Sequence, residues 1–242
     1  MRLLRIVFRQ ALKRETAAPM LALGFASATG VALVLARIGW TKNLYYGFLI
    51  WNLFLAWLPL VFALLACGEY RNQSVRRWRF FGWAGAWLLF FPNAPYIFTD
   101  LIHLTTRFYG HFWVDLILIL LCAFIGLMLG FVSLYLMQSL VSRMFGRVAG
   151  WCFVAGAAGL SSVGVYLGRF LRFNSWDVFF RPIEIVRDFH AWMGSSMLNR
   201  TSAAFLALFA IFLFLAYLML YALTHLSPAQ PFEDFDPESS AV

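Results

Sequence analysis

Residues 80–102 read FFGWAGAWLLFFPNAPYIFTDLI, an apolar stretch with no charge before Asp100 and with Pro92, Asn93 and Pro95 near its middle. A helix cannot pass smoothly through Pro-Asn-Ala-Pro, because each proline lacks an N–H donor and disfavours helix in the residue before it. Irregular backbone at membrane depth persists only where protein or a water-filled cavity covers it. The stretch is therefore either a broken membrane span or a re-entrant hairpin. The choice sets the topology of the whole chain.

The surroundings read as membrane. The chain has 242 residues, 62% hydrophobic, 19% aromatic and 12% charged, with a mean hydropathy of +0.77. A soluble domain carries about twice that share of charge. This composition excludes a soluble globular enzyme, a disordered chain and a nucleic-acid-binding module, despite a pI near 9.8. Apolar runs at 17–36, 44–67, 113–138, 148–168 and 202–225 match the roughly 20 residues that a span needs. The expected fold is an all-α polytopic transmembrane helix bundle of about six spans, one of them broken by Pro-Asn-Ala-Pro. Five spans plus a re-entrant segment is the alternative.

Small residues four apart, Gly24/Ala28, Ala26/Gly30, Gly126/Gly130 and Gly164/Gly168, mark faces where helices can approach closely. Asn52 inside the second run needs a polar partner, and interhelical bonding is the plain reading. Pro59 in the same run removes a backbone hydrogen bond and is expected to kink the helix. Cys67, Cys122 and Cys152 sit in or at the ends of apolar runs, in no metal or redox spacing, and read as packing thiols. No metal-binding or cofactor motif is present in the sequence.

The flanks differ from the middle. Residues 1–16 carry Arg2, Arg5, Arg9 and Lys13 at helical spacing, a basic amphipathic helix on the membrane surface. It serves as a topology anchor or docks an anionic lipid. Residues 17–225 form the transmembrane domain, and 226–242 an acidic, Pro-containing disordered tail with Glu233, Asp234, Asp236 and Glu238. Between the last two runs, Phe179, Ile183, Val186, His190, Met193 and Met197 recur three or four apart, which predicts an amphipathic interfacial helix within 169–200.

The positive-inside rule puts the N-terminus in the cytoplasm. Six spans leave a modest excess of Lys and Arg on the inner face, whereas the re-entrant alternative scores better. Length argues the other way, since 80–102 is long enough to cross even when kinked.

In both topologies the polar groups gather on one membrane face. Asp100 and His103 are three apart, and His111 and Asp115 four apart; Arg169, Arg172, Asn174 and Asp177 follow the fifth run. Ionisable groups at membrane edges mark candidate functional sites. Three readings fit. His103, His111 and the carboxylates could hold a metal, although their spacing matches no specific motif. Arg169 and Arg172 could grip a phosphate or carboxylate head group, with Asp100 or His103 as acid or base. Alternatively, Asp100 or Asp177 pairs with Arg169 or Arg172 as a structural lock. Trp113, Trp176 and Trp192 fall near run boundaries, where aromatic belts are expected.

Three stretches together are distinctive: WNLFLAWLPL at 51–60, WLLFFPNAPYIFTDLIHL at 87–104 and YLGRFLRFNSWD at 166–177. They resemble the bacterial integral-membrane family of unknown function called DUF1361, over about residues 44–223. The resemblance implies a bacterial inner-membrane setting and no established reaction. Its motifs correspond to Asn93, Pro95, Asp100, His103, Arg169, Arg172, Asn174, Trp176 and Asp177. The basic N-terminal helix and the acidic tail depart from the family. Candidate catalytic residues are Asp100 and His103; candidate binding residues are Asn93, Asp115, Arg169, Arg172, Asn174, Trp176 and Asp177. An enzyme acting on a lipid or lipid-linked head group, a small-solute transporter and a membrane scaffold or assembly factor all remain open. The expected partner is the bilayer, and the sequence assigns no oligomeric state.

Overall fold

The computed structural model describes residues 14–71, 77–106, 111–194 and 196–225. Most of the basic N-terminal segment, Arg107 and the acidic tail lie outside the described residues. The helices are α1 (Arg14–Thr41), α2 (Gly47–Arg71), α3 (Arg77–Phe90), α4 (Asn93–Tyr96), α5 (Phe112–Phe145), α6 (Arg147–Phe170), α7 (Asp177–Phe180), α8 (Pro182–Gly194) and α9 (Ser196–Thr224). Two 3-10 segments, Leu44–Tyr46 and Ile97–Thr106, precede α2 and follow α4. Among the described residues there is no strand, and five helices are long and apolar enough to cross a bilayer: α1, α2, α5, α6 and α9. The bundle is the expected all-α one. Pro59 stays within α2.

The broken stretch completes the set. Helix α3 has 14 residues, about 21 Å at 1.5 Å per residue, too short for a hydrocarbon core of about 30 Å. It stops at Phe90, just before Pro92, and the chain resumes as the single turn α4 and then the 3-10 segment. Its neighbours on α2 show where it goes. Phe80 meets Tyr70 with ring centroids 6.1 Å apart, and Phe90 meets Phe62 at 5.5 Å. Asp100 then bonds Asn52 at 2.8 Å, and His103 bonds Tyr45 at 3.1 Å. Partner numbers on α2, and then on the 3-10 turn before it, fall as the chain advances. The stretch therefore runs antiparallel to α2 along its whole length and does not turn back.

The other helices obey the same alternation. The end of α1 meets the start of α5 through Arg37 and Asp115. The end of α6 meets the broken stretch through Arg169 and Asp100. Tyr166 bonds Ser202 at the start of α9, while Tyr217 donates to Gln138 farther along α5. The start of α1 and the end of α9 thus lie at the same end of the bundle. The opposite, polar end holds the Arg37–Asp115 and Arg169–Asp100 pairs.

Helices α2 and α5 are the most buried, and α1 and α9 the least. The glycines of α5 and α6 receive the broken stretch. A Cβ on Gly126 would lie 2.8 Å from the Ala94 carbonyl oxygen, one on Gly130 2.9 Å from the Ala94 Cβ, and one on Gly164 2.6 Å from Pro92. Of the paired small residues read from the sequence, Gly126/Gly130 and Gly164/Gly168 are grooves for Pro92–Ile97, whereas Gly24 faces open space and Gly30 meets Ile125, Cys122 and Leu53. Buried side chains seal the join: Trp87 donates to Ser133 Oγ at 3.1 Å, and Phe91, Ala94 and Ile97 are inaccessible or nearly so.

The amphipathic segment is shorter than expected. Arg169 belongs to α6 and Arg200 to α9, leaving α8 to present exposed Ile183 and Val186. Phe179, His190, Met193 and Met197 lie outside the residues whose side chains are described.

Two outcomes test this architecture. In a chain lacking its native cysteines, an impermeant maleimide should label Lys42→Cys from one side of the membrane and Arg147→Cys and His225→Cys from the other; a re-entrant stretch would put all three on one side. Gly126→Val should cost about 1–3 kcal/mol by overpacking, read as a lowered thermal midpoint in detergent. Gly24→Val, with nothing within 4 Å of its added Cβ, should be near neutral.

Candidate functional site

Asp100 is the pivot of the polar end. Its side chain is only 2% exposed, and an ionised carboxylate there requires compensation. Arg169, reaching from the last turn of α6, donates Nη2 to Asp100 Oδ1. Asn52, on α2, donates Nδ2 to Oδ2 at 2.8 Å. The remaining reach of Arg169 is also committed: Nε donates to Thr99 Oγ1 at 2.9 Å, and the guanidinium lies 4.6 Å from the centre of the Tyr96 ring. Three elements are tied at one carboxylate.

His103 lies just beyond the crossing stretch 80–102. Tyr45 Oη is 3.1 Å from its Nδ1, and Arg169 Nη1 is 3.5 Å from its Nε2. An arginine can only donate, so this contact favours a neutral imidazole with Nε2 as acceptor. Burial pulls the His103 pKa below the ordinary histidine value, against the opposing pull of the Asp100 carboxylate.

Asp115 does not join this group. It pairs with Arg37, which donates Nε at 2.7 Å and Nη2 at 3.1 Å in a two-pronged contact. Arg37 belongs to α1, four residues before its end, and is 8% exposed. Its guanidinium stacks near Trp40 and Tyr46, and Trp40 in turn meets His111. His103 and His111 therefore belong to separate clusters, and the geometry does not gather them around one metal.

The loop after α6 builds the third part. Arg172 adopts φ = 59°, a left-handed conformation that costs a non-glycine residue roughly 1–2 kcal/mol. Asp177 Oδ2 accepts the Asn174 backbone N–H at 2.6 Å, closing the turn. Asp177 is thus a loop fastener, and of the four candidate pairings in the expected lock the structure forms Asp100 with Arg169. Asn93, held in the break, donates Nδ2 to Phe90 O at 3.0 Å and to Ser175 Oγ at 2.9 Å. The break and the loop are stitched together.

Between them lies a cavity of about 560 Å3, within the usual range for ligand sites. Asn52, Asn93, Tyr96, Arg172, Asn174 and Ser175 supply its polar wall. Leu55, Leu88, Leu89, Leu160 and Leu167 are among the apolar residues that line the remainder. On α6 the wall extends from Gly168 to Leu160, about 12 Å down the helix axis. The cavity is polar at the membrane face and apolar with depth. No Asp, Glu or His lines it, and Arg169, Trp176 and Asp177 are outside its wall.

Sequence reasoning missed Arg37, Tyr45, Thr99, Tyr96 and Ser175. Tyr96 and Thr99 lie within one turn of Asp100, so helical spacing was a usable signal. Arg37 had a weaker one, as a lone cation ending an apolar run on the same face as an otherwise unpaired Asp115.

These features define a polytopic helical membrane protein whose polar groups converge on one bundle end beside a broken span. The chain belongs to the family DUF1361, described as a protein of unknown function, whose match spans residues 51–226. The match includes Asp100, Arg169, Arg172 and the whole cavity wall, and it begins after α1. No curated protein and no solved structure matches the chain.

Removing one member of the buried pair should be costly. Arg169→Gln leaves Asp100 without its counter-charge, an effect of about 3–5 kcal/mol on stability. The double variant Asp100→Leu/Arg169→Met should recover most of that loss in thermal unfolding.

Proposed function

We propose that this is a binding protein of the bacterial inner membrane, N-terminus in the cytoplasm, that receives an amphiphile with an anionic head group in the cavity beside Arg172. The observation that carries the reading is the division of labour between the two arginines. Arg169 is neutralised by Asp100 and turned away from the cavity. Arg172 lines the cavity, is exposed, and has no acidic partner among the described residues. A free guanidinium beside amides suits phosphate or carboxylate, which it can engage with two parallel N–H donors. The strained backbone at Arg172 fits a residue held in place for contact with something other than its own fold.

The gradient of the wall supports an amphiphile rather than a soluble anion. A lipid or lipid-linked molecule would put its charge against the loop and its apolar part against the leucines of α2, α3 and α6. Recognition is favoured over acid–base catalysis, because Asp100 and His103, the groups able to move protons, stand behind Asn52 and Tyr96 and do not line the cavity. The basic segment 1–16 fits the same setting as a second contact with anionic lipid.

The test is titration of the purified full-length chain with dihexanoyl phosphatidic acid and with zwitterionic dihexanoyl phosphatidylcholine. The anionic lipid should bind more tightly, and Arg172→Gln should weaken it by about tenfold with an unchanged thermal midpoint. Equal affinity for both lipids, or indifference to Arg172→Gln, would overturn the reading.

A further inference from the structure

The amide groups on the cavity wall have a polarity that a phosphate alone does not match. Asn93 spends both of its amide hydrogens, on Phe90 O and Ser175 Oγ. The Phe90 carbonyl can only accept, so the orientation of the Asn93 amide is determined by its neighbours. Its Oδ1 is left as an acceptor with no partner among the described residues. Asn52 is oriented in the same way, because Asp100 Oδ2 takes one of its hydrogens. Its Oδ1 is likewise unpartnered among the described residues. Ser175 accepts from Asn93, which frees its hydroxyl hydrogen to donate. Beside the Asn174 amide and the Tyr96 hydroxyl, the wall therefore offers two amide acceptors of fixed orientation, a hydroxyl donor and one cation, Arg172.

A phosphodiester presents acceptors only. It satisfies Arg172 and Ser175 but leaves both amide oxygens facing oxygen. Those oxygens need O–H or N–H donors from the ligand, since an unmade bond in a desolvated site costs the full desolvation of the group. An ammonium could donate, but no carboxylate lines the cavity and the single negative charge of the ligand's phosphate is already engaged by Arg172, so the cation would have no counter-charge of its own. Hydroxyl groups meet the requirement without charge.

Resting on the anionic-amphiphile reading above, we infer that the ligand is a lipid whose phosphate carries a hydroxylated group, glycerol or a sugar, with its hydroxyls donating to Asn52 Oδ1 and Asn93 Oδ1. Arg172 takes the phosphate. The apolar depth of the cavity takes the first part of the chains.

The experiment compares dihexanoyl phosphatidylglycerol with dihexanoyl phosphatidylpropanol, which has the same phosphodiester charge and no hydroxyls, on the full-length protein. Phosphatidylglycerol should bind about tenfold more tightly, the scale of one or two hydrogen bonds, and Arg172→Gln should weaken both lipids. Equal affinity for the two, with both still dependent on Arg172, overturns the hydroxyl inference and leaves the anionic reading standing. Loss of all dependence on Arg172 removes the anionic reading itself. Tighter binding of dihexanoyl phosphatidylethanolamine overturns the inference in favour of an ammonium donor. Binding of free glycerol phosphate as tight as that of the lipid overturns the lipid as the source of the head group.

Discussion

A carboxylate held away from water must be met by a cation and by hydrogen bonds, and in this chain Asp100 imposes that requirement on three elements at once. Arg169 can reach it only if the last turn of α6 packs beside the 3-10 segment. Asn52 can reach it only if α2 flanks the same point. The direction of the loop after Phe170 then follows, because the residue that must stay with Asp100 is three positions before Arg172. A buried ion pair is weak evidence for added stability. Its consequence here is register, since no sliding of α6 along the broken stretch preserves the contact.

The pair depends in turn on the break. A continuous helix through 80–102 would carry Asp100 along a single cylinder, with its carboxylate facing whatever lay at that azimuth. Pro92 and Pro95 stop the helix, and the turn at Phe91–Pro92 lets the 3-10 segment settle between α2, α5 and α6. Backbone freed in this way must be covered by protein. Gly126, Gly130 and Gly164 provide the cover by letting helix backbones close on Ala94 and Pro92, at distances where a Cβ would not fit. Proline and glycine act together: one breaks the span and the other receives it.

This explains which parts were legible from residues alone. The break was, because proline acts on its own peptide unit and the one before it. The grooves were half legible: the Gly pairs marked close approach, but nothing local said that their partner was a broken stretch and not another helix. The span number was obscured by charge. Arg37 and Arg169 lie at the ends of apolar runs, yet both are inside helices and each is neutralised by its own acid, Asp115 and Asp100. Charges consumed in pairs say little about which face a loop occupies, yet discounting both leaves the re-entrant topology with the larger excess; the contacts along α2, not the charges, decide the span number. Site membership failed in the same way. His111 and Asp115 share a helix face by spacing, but Arg37 from a distant helix claims Asp115, and no local pattern announces a partner 78 positions away.

The split between Arg169 and Arg172 shows how a fold can assign opposite roles to two like residues three apart. Were both on one helix face, both would compete for Asp100 and the cavity would have no unbalanced charge. Helix α6 ends at Phe170, and the left-handed turn at Arg172 carries the second guanidinium away from the first. The strain is supported by ordinary means: Asp177 fastens the Asn174 N–H, and Asn93 reaches across from the break to Ser175. The same Asn93 that secures the loop also lines the cavity. The residues that make the broken span stable are therefore also the ones that set the hydrogen-bond polarity of the cavity, and a ligand would be read by groups whose orientation the fold has already determined.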